Sequence, residues 1–93
     1  MNISVELTFS PLQDNYEEHI INFIKKLRIS GLTILENPLS TQVYGDYDTV
    51  MNVLQSEIKI AFELMDKGLL YMKLVKSDRS EYEPHFWFFP RFL

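Results

Sequence analysis

Three side chains that can form hydrogen bonds alternate along residues 39–44, and this alternation predicts a short β-strand. Ser40, Gln42 and Tyr44 point to one face of that strand. Thr41 and Val43 point to the other face. A hydroxyl, an amide and a phenol in one row suit a small polar ligand, because together they offer both donors and acceptors. The alternative interpretation is a solvated strand face that binds nothing.

A carboxylate is expected beside this row. Residues 2–10 also alternate between apolar and polar, which predicts a half-buried strand with Glu6 in the middle of its polar set. If the two polar sets share one face of a sheet, Glu6 pairs with a ring nitrogen or a positive charge of a small heteroaromatic ligand. Gln42 and Ser40 then form hydrogen bonds with the exchangeable groups of the ligand, and Tyr44 stacks on its ring. A polar surface between subunits would show the same pattern.

The rest of the chain predicts two helices and two more strands. Apolar residues at helical spacing follow Asp14 or Asn15, either of which can cap a helix that stops at Gly31. The further predictions are a strand at 32–36, a glycine turn at Gly45, a second helix at 47–67 capped by Asp46 or Asp48, and a last strand at 69–76.

This order of elements predicts an α+β fold, the ferredoxin-like βαββαβ plait. It is a four-stranded antiparallel sheet with two helices on one face, and its first and third strands are central neighbours. We expect this domain to span residues 1–78 and an aromatic C-terminal tail to span residues 79–93. Four of the seven phenylalanines and the only tryptophan lie in that tail. We expect it to pack on its own domain or on a partner subunit, because an exposed aromatic run promotes aggregation.

Composition excludes several classes of function. The chain has 93 residues and no cysteine, so it fits one domain without disulfides or thiolate catalysis. A net charge of −4 disfavours a protein that binds nucleic acid through its backbone. No apolar run is long enough to cross a bilayer, so no membrane partner is expected. Without a signal-peptide pattern, a cytoplasmic location is expected.

Catalysis and metal binding find no support in the residue types. His19 and His85 are far apart in sequence and have no cysteine to complete a metal site. Neither has a serine at a spacing useful for nucleophilic attack. We therefore expect no enzyme activity, no catalytic residue, no metal and no cofactor. A second apolar line on the second helix, at Val53, Ile60 and Leu64, instead favours a homo-oligomer.

Two segments, residues 6–12 and residues 37–51, resemble the thiamine-binding YkoF-like family. The likeness runs from about residue 2 to residue 76, and its most specific part is Ser-Thr-Gln-x-x-Gly-Asp-Tyr-Asp at 40–48. The resemblance implies a ferredoxin-like plait that forms dimers or tetramers and binds thiamine or its hydroxymethylpyrimidine moiety, for vitamin uptake or salvage. It assigns ligand contacts to seven residues: Glu6, Ser40, Thr41, Gln42, Tyr44, Asp46 and Tyr47. The aromatic tail departs from the family pattern.

The same fold would also suit an RNA-binding protein or a small hydrolase, but the residues favour neither. An RNA-binding plait needs exposed aromatic residues on both central strands and a basic surface. An acylphosphatase-like enzyme needs an arginine in an anion-binding loop after the first strand, and residues 10–14 contain none. A small oligomeric regulatory or structural module without a thiamine ligand remains the alternative, because a binding patch and a subunit contact look alike in sequence.

Overall fold

The computed structural model describes residues 1–81, and their secondary structure follows the predicted order. The elements are β1 (Asn2–Pro11), α1 (Tyr16–Arg28), β2 (Thr33–Glu36), β3 (Thr41–Asp46), α2 (Tyr47–Leu64) and β4 (Gly68–Val75). The strands form one antiparallel sheet in the order β2-β3-β1-β4, so β1 and β3 are central neighbours. The ferredoxin-like α+β plait is confirmed. Most of the predicted tail, residues 82–93, lies outside the described residues, so its packing stays a prediction.

Both helices pack on the same face of the sheet. The apolar residues of β1 are buried there together with one stripe from each helix, because alternate strand residues and helical residues three or four apart present continuous apolar surfaces. The core consists of Ile3, Val5, Leu7, Phe23, Leu27, Val43, Val50, Leu54 and Ala61. No helix within residues 1–81 is long and apolar enough to cross a membrane.

The opposite side of the sheet, which neither helix covers, is called the open face below. In the β1–β3 register Glu6 stands opposite Gln42, and Ser4 stands opposite Tyr44. In the β1–β4 register Glu6 stands opposite Lys73. Paired residues of antiparallel strands point to the same face, so these side chains share the open face. The predicted grouping of the polar residues of β1 and β3 is confirmed.

The bounds of β3 differ from the prediction. The strand begins two residues later than residue 39 and continues through Gly45 to Asp46. Leu39 lies in the preceding turn, where the Asn37 side chain accepts hydrogen bonds from the backbone N–H groups of Leu39 and Ser40 at 2.8 and 2.9 Å. This side-chain bonding builds the turn and delays the strand.

Gly45 lies inside β3, so the predicted turn there is wrong. A Cβ atom at this position would lie 3.1 Å from Leu32 Cδ2 and 3.2 Å from Val50 Cγ2. The glycine is therefore needed for close packing of α2 and the residue before β2 against the strand, rather than for a change of chain direction.

The second helix ends at Leu64, three residues before the predicted end at residue 67. The residues that follow bond to the β1–α1 connection instead: Asp66 N donates to Gln13 Oε1 at 2.9 Å, and the Lys67 carbonyl accepts from Leu12 N at 2.9 Å. These bonds replace another helical turn and fix where β4 begins.

Candidate functional site

Four polar side chains form a continuous hydrogen-bonded row on the open face. Ser40 Oγ donates to Glu6 Oε2 at 3.0 Å. Gln42 Nε2 donates to Ser40 Oγ at 3.2 Å, and the Tyr44 hydroxyl donates to Gln42 Oε1 at 3.4 Å. Each donor points toward the next side chain in the direction of the carboxylate. The row therefore fixes the orientation of the Gln42 amide and leaves further acceptor capacity on Glu6, which is exposed.

This row borders a cavity of about 240 Å³, called the open-face cavity below. Its lining residues are Ser4, Val5, Glu6, Gln42, Tyr44, Lys73, Val75 and Arg79. Sequence reasoning missed Lys73, Val75 and Arg79. Alternation along β4 places Lys73 and Val75 on one face, but the pairing of Glu6 with Lys73 depends on where β4 begins. The bonds of Asp66 and Lys67 to the β1–α1 connection set that point.

The segment after β4 borders the cavity through Arg79. The Ser4 hydroxyl donates to the Ser77 carbonyl at 2.6 Å and accepts from Arg79 N at 2.8 Å. Ser4 is only 5% exposed, so this central side chain is buried with both functions of its hydroxyl satisfied. Residues 77–79 lie at the boundary expected between the domain and its tail. Ser77 and Arg79 bond to Ser4 on β1, and Arg79 becomes part of the cavity wall.

Tyr44 lies in a negative electrostatic environment. Its side chain is 9% exposed, and burial is the largest cause that raises the pKa of its phenol above the ordinary value of 10.0. The carboxylates of Asp78 and Glu6 raise that pKa further. The same two charges that disfavour a phenolate favour a cation placed on the ring face. Lys73 and Arg79 add positive charge to the other walls, so the cavity has two electrostatic poles.

Thr41 points away from this site. It is buried on the helix-covered side of β3 and lines a second cavity of about 240 Å³ between α1, the end of β1 and the turn before β3. That cavity has mostly apolar walls, including Phe9, Ile24 and Leu39. Ser40 also lines the second cavity, and its hydroxyl donates to Glu6, which lines the open-face cavity. The sheet therefore separates Thr41 from the polar row.

Asp46 and Tyr47 organise the start of α2. Asp46 accepts from the N-terminal ammonium group at 3.3 Å and, as the helix cap, from Thr49 N at 3.5 Å. These hydrogen bonds, that of the N-terminus first, lower the pKa of Asp46 from its usual range. Tyr47 N donates to the Met1 carbonyl at 2.8 Å. Of the seven predicted ligand residues, the structure brings together Glu6, Ser40, Gln42 and Tyr44, and it places Thr41, Asp46 and Tyr47 elsewhere.

The described part of the chain, residues 1–81, contains no cluster of three histidine, aspartate or glutamate side chains placed to hold a metal ion. What these residues offer is recognition of a small molecule by hydrogen bonds, by charge of both signs and by one aromatic ring.

No protein-family model and no curated protein matches this chain. Several solved structures, however, match it. Protein SP2199 from Streptococcus pneumoniae matches with a TM-score of 0.79 and 22% identity, over 87% of this chain and 92% of that one. A "putative thiamine biosynthesis/salvage protein" from Thermotoga maritima matches with a TM-score of 0.72 and 17% identity, over 80% and 82% of the two chains.

A domain of unknown function, DUF77, from Bacillus cereus matches with a TM-score of 0.71 and 11% identity, over 84% of this chain and 78% of that one. At these identities the three likenesses show a common fold. Function has to be argued from the site itself.

The environment of Tyr44 generates a prediction about titration. We expect the Tyr44 phenol to ionise above pH 10.0, and Asp78→Asn to lower that pKa without restoring the ordinary value, because burial is the larger cause. The raised pKa means that the stability contributed by the neutral phenol is fully present below about pH 10 and is lost as pH rises through the raised value.

The measurement is an ultraviolet phenolate titration of the parent chain minus that of Tyr44→Phe. The difference isolates one phenol among the five tyrosines of the chain. A difference curve centred at or below pH 10.0 would contradict the electrostatic description of this site.

Proposed function

We propose that this chain is a thiamine-binding protein of the YkoF-like family. It binds thiamine, or its hydroxymethylpyrimidine moiety, in the open-face cavity, without catalysis and in the service of vitamin uptake or salvage. The observation that carries the proposal is the hydrogen-bonded row that ends on Glu6 beside Tyr44. The similar fold of the "putative thiamine biosynthesis/salvage protein" from Thermotoga maritima supports it.

The polar row suits the aminopyrimidine. That ring carries an exocyclic amine, which donates hydrogen bonds, and ring nitrogens, which accept them. Glu6 accepts from the amine or holds a protonated ring nitrogen by a charge-assisted bond. Gln42 and Ser40 supply a mixture of donors and acceptors, and their mutual bonds fix the orientation of both. The pyrimidine half is therefore expected to provide most of the specificity.

The second ring of thiamine, a thiazolium, carries a permanent positive charge. We expect it on the Tyr44 side, where burial and the carboxylates of Asp78 and Glu6 make a cation–π contact favourable. Lys73 borders the opposite, β4 side of Glu6, so charge repulsion orients the ligand in the same sense. The neutral pyrimidine moiety alone would lack this second contribution.

Apolar side chains exposed on the edge of the sheet support a homo-oligomer, a dimer or a tetramer. β4 is an edge strand, and Tyr71 on one side of it and Leu74 on the other are 62% and 46% exposed. An edge strand with apolar residues on both faces is a template for pairing with another chain. The same feature supports the alternative function, a small oligomeric regulatory or structural module without a thiamine ligand.

Replacing Glu6 tests the binding proposal. Glu6→Gln keeps the shape and an acceptor for Ser40 but removes the charge. We expect it to weaken thiamine binding by roughly 1.5–3 kcal/mol, about ten- to a hundred-fold, as for the loss of a charged hydrogen bond. Isothermal titration calorimetry measures both proteins, and circular dichroism and size checks confirm that each is folded and assembled alike.

Glu63→Gln is the matched control, because it removes an equal charge from an exposed position on α2. We expect it to leave affinity unchanged. A Glu6→Gln affinity within about two-fold of the parent, or 0.4 kcal/mol, would sink the assignment of Glu6 to the site.

The edge strand generates a separate prediction. Light scattering at micromolar concentration should show a dimer or a larger assembly, and Leu74→Lys should shift it toward the monomer, since a buried unpaired charge opposes association. Ile29→Lys, at an exposed position beyond α1, is the control and should have no effect. A monomeric parent chain would refute the proposal of a homo-oligomer.

A further inference from the structure

We infer that β4 pairs antiparallel with β4 of a second copy about a two-fold axis at Met72, and that this pairing sets Tyr71 of the partner subunit beside Lys73 at the border of the open-face cavity. The inference rests on the homo-oligomer proposed above and on the registers of the described strands. It adds the alignment of the two copies and a residue that each copy contributes to the other's site.

Symmetry restricts how two copies of β4 can pair. It is an edge strand, and within residues 1–81 only β1 pairs with it. When two copies of one strand pair antiparallel about a two-fold axis, opposite residues point to the same face of the joined sheet. Because side chains alternate along each strand, the axis has to pass through a residue position. β4 has eight residues, Gly68–Val75, so an axis at Tyr71 or at Met72 pairs the largest part of the strand.

The side chains of β4 favour the axis at Met72. Tyr71 and Lys73 both point to the open face, because they pair with Thr8 and Glu6 of β1. With the axis at Met72, Tyr71 lies opposite the partner's Lys73, and an aromatic ring beside an ammonium group is a favourable pair. The remaining pairs are all apolar: Leu69 with the partner's Val75, Leu70 with the partner's Leu74, and Met72 with the partner's Met72.

Other positions of the axis give poorer pairs. An axis at Tyr71 sets Leu69 opposite the partner's Lys73, so that a charge faces an apolar side chain. An axis at Lys73 sets two lysines opposite each other, and like charges in that arrangement are destabilising. In the Met72 register, every large apolar side chain of β4 that is exposed in the single chain gains a cross-strand partner: Leu69, Tyr71, Met72 and Leu74.

This pairing brings a second aromatic ring to the site. Gln42, Glu6 and Lys73 form one row across β3, β1 and β4. The partner's Tyr71 is the next member of that row, two strand spacings or about 10 Å from Glu6. Its ring holds the Lys73 side chain, which lines the open-face cavity, at the β4 border of that cavity. Each copy thus completes the site of the other.

Cysteine cross-linking measures the register, because the chain has no cysteine of its own. In the Met72 register, position 72 lies opposite itself. We expect Met72→Cys to form a disulfide-linked dimer under mild oxidation at least about ten-fold faster than Ile29→Cys, because adjacent thiols have a high effective concentration. Ile29 is the control, at an exposed position beyond α1.

A mixed pair of variants tests the contact between Tyr71 and the partner's Lys73 without changing Met72. Tyr71→Cys and Lys73→Cys chains are mixed in urea, refolded together and oxidised. We expect the mixed disulfide dimer to exceed both symmetric dimers by more than random pairing allows, because only positions 71 and 73 lie opposite each other. Circular dichroism and size measurements before oxidation verify that each variant is folded and assembled like the parent.

Three results would overturn the inference. Tyr71→Cys alone could cross-link faster than Met72→Cys, which would move the axis to position 71. Cross-linking at position 72 could be no faster than at position 29, or the mixed dimer could form only in the random proportion. Any of these in a dimeric protein overturns the register alone, whereas a monomeric parent chain in light scattering overturns the homo-oligomer as well. No thiamine is present, so none of these results depends on the proposed ligand.

Discussion

The pairing of Glu6 with Gln42 across the two central strands is the constraint on which the rest of this structure depends. Because side chains alternate along a strand, a slip of one residue would turn Glu6 into the helix layer and expose Val5 or Leu7 to solvent. Both of these residues are almost wholly buried in the core, so the core holds the register that assembles the polar row. Packing on one face of the sheet thus specifies chemistry on the other.

Ser4 couples the segment after β4 to this site. A buried serine hydroxyl needs partners, and the segment after β4 supplies one acceptor and one donor. Satisfying that hydroxyl brings Asp78 near Tyr44 and Arg79 into the cavity wall. One polar residue on the central strand therefore ties two charged side chains, Asp78 and Arg79, to the site.

Local patterns predicted the elements of this fold well, because alternation in β1 and helical spacing in α1 and α2 are each decided by one buried face. Contacts that join distant segments were not predictable from the sequence. The bonds of Asp66 and Lys67 shortened α2, and the close approach of Leu32 and Val50 made Gly45 a packing residue. The later start of β3 has a local cause, the bonds of the Asn37 side chain to Leu39 and Ser40.

The same distinction, between local patterns and long-range contacts, applies to the residues of the site. Alternation and the expected sheet order placed Glu6, Ser40, Gln42 and Tyr44 together, since both strands are central. The same alternation turns Thr41 toward the helices. Asp46 was expected at the start of a helix, and its cap hydrogen bond holds it there. Family resemblance gave these two residues a ligand role, although one polar face cannot hold all of them. Lys73 and Arg79 could be assigned to the site only with the register of β4 and the path of the chain after it. No local sequence pattern encodes either of these.

The most direct test of this account is a nuclear magnetic resonance titration of the labelled parent chain with thiamine. If thiamine binds in the open-face cavity, the backbone amides of Glu6, Gln42, Tyr44 and Arg79, which surround it, will show saturable shifts. Ile24 and Leu39, which line the second cavity, will show no comparable shifts. Shifts confined to the second cavity, or no shifts at all, would contradict the central claim that the open face is the binding site.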